Sequence, residues 1–169
     1  MAAGRTHDLV NLAVLPVAVY YLQPENFAGF VAGYLAGTFF LSPDNDIYHS
    51  KPNRRWKYLR IIWLPYTKLF SHRGISHIPI VGSITKIIYL LTVFTALGVL
   101  LAGVIYLYDK QLFEKLVNGY INGLTPETVI GILKHPYTVS FAVGLILSEI
   151  VHVATDMVYS TAKKLRLLR

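Results

Sequence analysis

The sequence predicts an all-α polytopic membrane protein, and two observations support this prediction. Apolar residues make up 54% of the 169 residues, and the mean hydropathy is positive. Four segments are apolar on every face of the helix that each would form, as expected for a protein whose solvent is partly lipid. We therefore expect one membrane domain over residues 1–169, a helical bundle with about four transmembrane helices.

The four apolar segments cover residues 9–22, 27–41, 87–108 and 137–151, and the last continues with polar interruptions to residue 159. Only the third is long enough to span a membrane by itself. The first two would be about 21 to 23 Å long as helices, against a hydrocarbon core of roughly 30 Å, so they are either short spans or a re-entrant hairpin. A signal peptide is the alternative for the first. No small-x-small cleavage pattern follows it, however, and Pro24-Glu25-Asn26 is typical of a turn.

Two further segments accompany these spans. Residues 43–77 include RRWKYLRIIWLPYTKLF at 54–70, which interleaves cations with aromatic side chains and has the composition of a segment in the headgroup region. Residues 109–135 predict two short amphipathic helices on the opposite face of the membrane. The second of these has Thr125 as its N-cap and Pro126 at its first position.

The basic residues assign the two faces of the membrane. Lys and Arg outnumber carboxylates in residues 43–77 and in the C-terminal tail, whereas the opposite loops are nearly neutral. By the positive-inside rule, segment 43–77 and both termini are cytoplasmic. The net charge of +7 then reflects contact with anionic lipid headgroups, and nucleic acid is not an expected partner. With no cysteine in the chain, any metal ion must bind to His, Asp, Glu or Asn.

The histidines and carboxylates test this topology independently of Lys and Arg. Five of the six histidines fall on the predicted cytoplasmic side. In the fourth segment Glu149, His152 and Asp156 are spaced i, i+3, i+7 and share one helix face. Each ionisable group in a span costs on the order of 3 kcal/mol, so this stripe needs a partner inside the protein. Taken singly, such residues are capping or headgroup contacts, but His and carboxylate groups at four helix ends together predict a metal site.

The predicted metal ligands are His7, Asp44, His77, His152 and Asp156, with Asp46 and His72 available for a second ion. In the stretch SHRGISH, His72 and His77 are spaced i, i+5, about 140° apart on a helix, so an unbroken helix cannot turn both toward one ion. Gly74 permits a turn between them, and Pro79 suits the first turn of the next helix. We therefore expect both histidines on a loop, with Arg73 near the same pocket.

Over essentially its whole length, the chain resembles a family of uncharacterised bacterial membrane proteins described as metal-binding. The stretches that carry this resemblance are GRTHD, LSPDND, RRWKYLRIIWLPYTKLFSHRGISH and HVATD. The chain is also similar to the YdjM-like membrane-bound metal-dependent hydrolases and, more distantly, to zinc-dependent phospholipase C. The positions that match the YdjM-like pattern are His7, Asp44, Asp46, Arg73, His77, His152 and Asp156. The chain departs from that pattern in having Ser76 before His77 and no hydroxyl after it. The resemblance implies a place in the bacterial inner membrane.

These residues predict a membrane-embedded metalloprotein, and the resemblance implies a metal-dependent hydrolase. One or two divalent ions are expected, zinc first, with Mn²⁺ or Fe²⁺ as alternatives. Glu149 is assigned to orienting the His152 imidazole or, as an alternative, to general base catalysis. Arg73, with Arg54 and Arg55, is assigned to binding an anionic group. The headgroup depth of the site makes a lipid phosphoester the expected substrate class and membrane lipids the expected partners.

Two alternatives from other functional classes remain open. A non-catalytic metal-binding or metal-sensing membrane protein would use the same ligands with closed coordination. A metal or proton transporter would need polar groups across the whole membrane. Residues 87–108 provide only Thr92 and Thr95 beyond backbone and aromatic groups, so transport is the weakest of the three functions.

Overall fold

The computed structural model describes residues 4–70 and 74–165. Over these ranges the chain forms eight α-helices and no strand, which confirms the all-α prediction. The helices are α1 Gly4–Leu22, α2 Phe27–Phe39, α3 Lys51–Arg55, α4 Trp63–Leu69, α5 Val81–Tyr108, α6 Lys110–Gly123, α7 Pro126–Lys134 and α8 Pro136–Lys164. Three 3-10 turns, Pro43–Asp46, Lys57–Ile62 and Ile75–His77, lie between the helices.

Two of the described helices, α5 and α8, are long and apolar enough to cross a membrane, with 28 and 29 residues. Helix α2 has only 13 residues, fewer than the roughly 20 that a straight span requires. By length and composition, therefore, two of the described helices are candidates for the four spans that the sequence predicts.

Helices α2 and α8 are in backbone contact. Gly29, Gly33 and Gly37 follow one face of α2, and a Cβ atom at Gly33 would overlap the carbonyl oxygen of Phe141 on α8. Small residues at every fourth position let two helices approach this closely, an arrangement that is typical of membrane helices. Because α2 leads into the Pro43–Asp46 turn, this contact holds that turn beside the second half of α8.

Helix α1 packs beside this pair. The hydroxyl of Tyr34 on α2 donates a hydrogen bond to the backbone oxygen of Asn11 at 3.1 Å, and both residues are buried. Ala18 of α1 packs with Phe30 and Tyr34 in a small apolar core. The first turn of α1 is thereby brought to the same end of the bundle as the Pro43–Asp46 turn.

The buried residues of α5 are Gly82, Ser83 and Lys86, all in its first two turns. Every residue from 94 to 101 is exposed, on all faces of the helix. The helix begins at Val81, two residues after Pro79, which was predicted to lie inside its first turn. The reason is Ile80, whose φ of 73° is a left-handed conformation that a right-handed helix cannot contain.

Helices α6 and α7 match the two short helices predicted within residues 109–135. Neither contains a buried residue. The predicted cap of the second helix is present, because the Thr125 hydroxyl accepts a hydrogen bond from the backbone N–H of Thr128 at 3.2 Å. The position of these helices at a membrane surface stays a prediction.

Candidate metal centre

Four separate segments bring predicted metal ligands to one place. The ligands are His7 from α1, Asp44 from the Pro43–Asp46 turn, His77 from the Ile75–His77 turn, and His152 and Asp156 from successive turns of α8. Two overlapping groups of three have ligand atoms within 4.8 Å of one another. The first group is His7, His152 and Asp156, and the second is Asp44, His77 and His152.

The distances between these ligand atoms suit one small ion. His7 Nε2 is 3.3 Å from Asp156 Oδ1, and His152 Nε2 is 3.5 Å from Asp44 Oδ1. His77 Nε2 is 3.8 Å from Asp44 Oδ1. Two ligand atoms on a tetrahedral zinc ion, each about 2.0 Å from it, are about 3.3 Å apart. The side chains are therefore close to the separation that coordination demands.

The same atoms lack ordinary hydrogen-bond partners. Within the described ranges, His7 Nε2, Asp44 Oδ1 and His152 Nε2 are buried and make no well-formed hydrogen bond. A buried polar atom without a partner costs on the order of 1–3 kcal/mol, and here three of them lie in one cluster. A divalent cation accepts lone pairs from all three atoms at once, so this donor set fits a metal ion.

The Pro43–Asp46 turn is held rigidly at this site. The side-chain amide of Asn45 donates to Asn53 Oδ1 at 2.7 Å, and the Asn53 amide donates to the backbone oxygens of Asn45 and Ile47 at 3.0 and 2.9 Å. Both asparagines are fully buried. These bonds tie the turn to α3 and fix where Asp44 is presented.

Two of the three imidazoles are oriented through Nδ1, which leaves Nε2 for an ion. His77 Nδ1 lies 3.3 Å from Asp46 Oδ2, and that oxygen accepts a hydrogen bond from Ser76 Oγ at 2.6 Å. His152 Nδ1 lies 3.4 Å from Ser42 Oγ. Carboxylate and hydroxyl groups behind a histidine ligand fix its tautomer and direction. Asp46, predicted as a ligand for a second ion, here stands behind His77, beside Ser76.

Electrostatics keep His7 in the form that binds a metal. Burial lowers the pKa of His7, and the neighbouring His152 lowers it further, while Asp156, Asp44 and Asp8 offset this only in part. The His7 and His152 rings stack at 3.8 Å with an interplanar angle of 12°, so two positive charges would be in contact if both were protonated. A neutral imidazole has the free lone pair that coordination requires.

The buried carboxyl of Asp44 remains ionised among these histidines. Burial alone would raise its pKa, but the contact with His152, the largest opposing effect, helps to hold the pKa below its ordinary value. An ionised carboxylate is the form that ligates a divalent cation.

Residues 2–166 match the family of uncharacterized metal-binding proteins DUF2227. The chain belongs to this family. It is 37% identical over 147 residues to an uncharacterized protein of Aquifex aeolicus strain VF5, covering 85% of this chain and 99% of that relative. No solved structure matches the chain. The match confirms the predicted resemblance to a metal-binding family, while the relation to the YdjM-like hydrolases stays a prediction.

In this DUF2227 protein, Glu149 has a partner that the sequence analysis missed. Its carboxylate Oε1 is paired with the ammonium of Lys86 at the base of α5, and both side chains are fully buried. Glu149 therefore faces Lys86, whereas the group beside His152 Nδ1 is Ser42. The missed signal is a lysine directly before a long apolar run. Such a lysine needs a buried anion, and the polar stripe of α8 contains one.

The predicted anion-binding arginines have different surroundings. Arg54 is exposed. Arg55 is engaged within the protein, because its Nη2 donates to Asp8 Oδ2 at 2.6 Å and its Nη1 donates to the backbone oxygen of Phe39 at 3.2 Å. His72 and Arg73 lie outside the described residues, so their predicted roles stay predictions.

Proposed function

We propose that this chain is an integral membrane metalloprotein that binds one divalent ion, zinc first, through His7, Asp44, His77, His152 and Asp156. The observation that carries this proposal is the convergence of buried ligand atoms that make no well-formed hydrogen bond, from α1, the Pro43–Asp46 turn and α8. His152 belongs to both groups of three, and an imidazole Nε2 has one lone pair, so a single ion takes it. A second ion would need other donors, such as Asp46 or His72.

The membrane part of the proposal rests on α5. Residues 94 to 101 of this helix are exposed on every face, and the 18 most apolar residues of α5 have a mean hydropathy of 2.4 with none of them buried. An apolar stretch of helix that is exposed on every face is stable in lipid and not in water. We propose four spans, with α1 and α2 as a short pair that begins and ends at the metal centre.

We place the metal centre at the cytoplasmic face of the bacterial inner membrane, with both termini in the cytoplasm. The positive-inside rule supports this orientation, because Lys51, Arg54, Arg55, Lys57 and Arg60 follow the Pro43–Asp46 turn directly and Lys163 and Lys164 end α8. At this depth the centre faces lipid headgroups.

We propose hydrolysis of a lipid phosphoester as the activity. A divalent ion with an open position supplies a hydroxide nucleophile near pH 7 and polarises a phosphoryl oxygen. The side chains of this site would hold the ion, and Ser42, Asp46 and Ser76 would keep the imidazoles in place. Arg54 and Arg73 are the cations proposed to bind the phosphate, since Arg55 is already paired with Asp8.

One observation favours a second candidate, a non-catalytic metal-binding or metal-sensing membrane protein. The two groups of three share His152 and together contain five donor side chains, which is enough to complete a four-coordinate ion without leaving a position for water.

Element analysis of detergent-purified protein tests the metal centre. The wild type should contain close to one zinc per chain, and His152→Ala and His77→Ala should lose it. His49→Ala is the control, because His49 is exposed. A wild-type protein without stoichiometric metal would reject the proposal.

Hydrolysis is tested by headgroup or phosphate release from a panel of phospholipids and aryl phosphates with added zinc or manganese. Turnover that His152→Ala abolishes supports the hydrolase. No turnover, together with an X-ray absorption spectrum in which every zinc ligand comes from the protein, supports the non-catalytic candidate.

A further inference from the structure

His7 is held differently from the other two histidines of the metal centre. His77 and His152 each have a group behind Nδ1, Asp46 and Ser42 respectively. Within the described ranges, both ring nitrogens of His7 are buried and make no hydrogen bond. The ring stacks on His152 and its Nε2 lies 3.3 Å from Asp156 Oδ1, but no group holds it through Nδ1, so its direction depends on where the backbone of α1 lies.

The next residue, Asp8, fixes that backbone. Asp8 Oδ2 is paired with the ammonium of Lys51 and, at 2.6 Å, with Nη2 of Arg55, both on α3. Arg55 also donates to the backbone oxygen of Phe39 at 3.2 Å, so the ion pair joins the first turn of α1 to α3 and to the end of α2. Close packing adds to this contact, because a Cβ atom at Gly4 would lie 3.2 Å from Lys51 Cβ.

Consecutive residues of a helix point about 100° apart, so His7 and Asp8 face different neighbours. His7 stacks on His152 of α8, while Asp8 faces α3. The first turn of α1 is thus held between α3 and α8. The Asp8 side chain is 13% exposed, which shields its ion pairs from most of the solvent.

We propose that Asp8 is a positioning residue that places His7 at the metal centre by tying α1 to α3 through Lys51 and Arg55. This inference rests on the proposed metal centre. It also assigns Arg55 to holding the site together, in place of the substrate contact predicted from sequence.

The test is a double-mutant cycle of zinc affinity, measured by competition with a chromogenic chelator in detergent. Asp8→Asn should weaken zinc binding roughly tenfold, the effect seen when a group that orients a metal ligand is removed. In the His7→Ala background the same substitution should change affinity by less than about twofold, because no ligand remains for it to position. The double variant Lys51→Gln with Arg55→Gln should reproduce the effect of Asp8→Asn. The matched control is Glu114→Gln, because Glu114 is an exposed carboxylate in α6.

Two outcomes would overturn the inference. One is an unchanged zinc affinity in Asp8→Asn while His7→Ala weakens binding. The other is an equal loss with and without His7, which would mean that Asp8 acts through general electrostatics or overall folding. A wild-type protein that binds no zinc would instead reject the proposed metal centre.

A second measurement needs no metal. Carbethoxylation of the metal-free protein, followed by mass spectrometry, should modify His7 slowly in the wild type and several-fold faster in Asp8→Asn, with His77 unchanged. Equal rates at His7 in both proteins would also overturn the inference, whatever the zinc titration shows.

Discussion

Gly33 lies where α2 and α8 touch, and replacing it by alanine should disturb the metal centre from a distance. A Cβ atom there would overlap the carbonyl oxygen of Phe141 and lie 2.7 Å from its carbonyl carbon. Ordinary van der Waals contact begins at 3.4 Å, so the carbonyl carbon alone requires the helices to separate by 0.7 Å, and the closer carbonyl oxygen requires more. Overpacking of this kind costs about 1–3 kcal/mol.

The separation matters because α2 leads to Asp44 and α8 carries His152, whose ligand atoms are 3.5 Å apart. Metal–ligand distances tolerate deviations of only about 0.2 Å. Gly33→Ala should therefore lower both the thermal stability of the detergent-solubilised protein and its zinc affinity, the latter by roughly tenfold or more. Differential scanning fluorimetry and a zinc titration measure the two effects.

The matched control is Gly98→Ala in α5, where a Cβ atom would meet nothing within 4 Å. This variant should behave as the wild type in both assays. If Gly33→Ala also kept the wild-type melting temperature and zinc affinity, the close α2–α8 contact would not be what sets the geometry of the site.

Three further predictions concern single side chains. Lys86→Met should destabilise the protein by about 3–5 kcal/mol, because it leaves Glu149 buried without its cation. In thermal unfolding, the double variant Lys86→Met with Glu149→Leu should recover most of that loss. If the effects of the two substitutions were additive, the buried ion pair would be contradicted. Ser76→Ala should weaken zinc binding roughly tenfold, because it removes the hydrogen bond that holds Asp46 next to His77. The control is Ser83→Ala, which removes a buried hydroxyl that makes no hydrogen bond among the described residues and should leave the zinc affinity unchanged. Equal effects in the two variants would refute this role of Ser76. Burial raises the pKa of Tyr66 to about 12, so its phenol stays neutral in the folded state after an exposed tyrosine has ionised. The stability linked to the neutral Tyr66 phenol is complete below pH about 10 and is lost as the pH rises toward 12. In an ultraviolet titration the late tyrosinate component of Tyr66→Phe should be smaller than that of the wild type by one tyrosine.

Much of the helix content was readable from the sequence. The apolar runs at 87–108 and 137–151 lie within α5 and α8, and Thr125 with Pro126 begins α7 as predicted. The positions of helices and turns were harder to predict where the chain is neither apolar nor strictly periodic. The basic segment after Asp46 divides into α3, a 3-10 turn and α4, because Asn53, Trp63 and Tyr66 are buried there against other elements.

The sequence did not predict which charged side chains pair with each other. Lys86 and Glu149 are 63 residues apart, and Asp8 is 47 residues from Arg55. Spacing along one helix says which residues share a face, but it does not say which face of another helix they meet. Spacing therefore predicts that Glu149 orients His152 and that Arg55 binds an anion, whereas in the structure Glu149 is paired with Lys86 and Arg55 with Asp8.

The sequence alone determined that the chain is helical and apolar and which residue types are available to bind a metal ion. These are properties of composition and of local periodicity, and they need no knowledge of packing. Only the tertiary structure decided that His7, His152 and Asp156 form one close group of ligand atoms and Asp44, His77 and His152 a second, and that SHRGISH contributes His77 with Asp46 next to its Nδ1. The physical reason is that these residues are separated by up to most of the chain and come together through the close α2–α8 contact, the packing of α1 on α8 and α2, and the contact between the Pro43–Asp46 and Ile75–His77 turns.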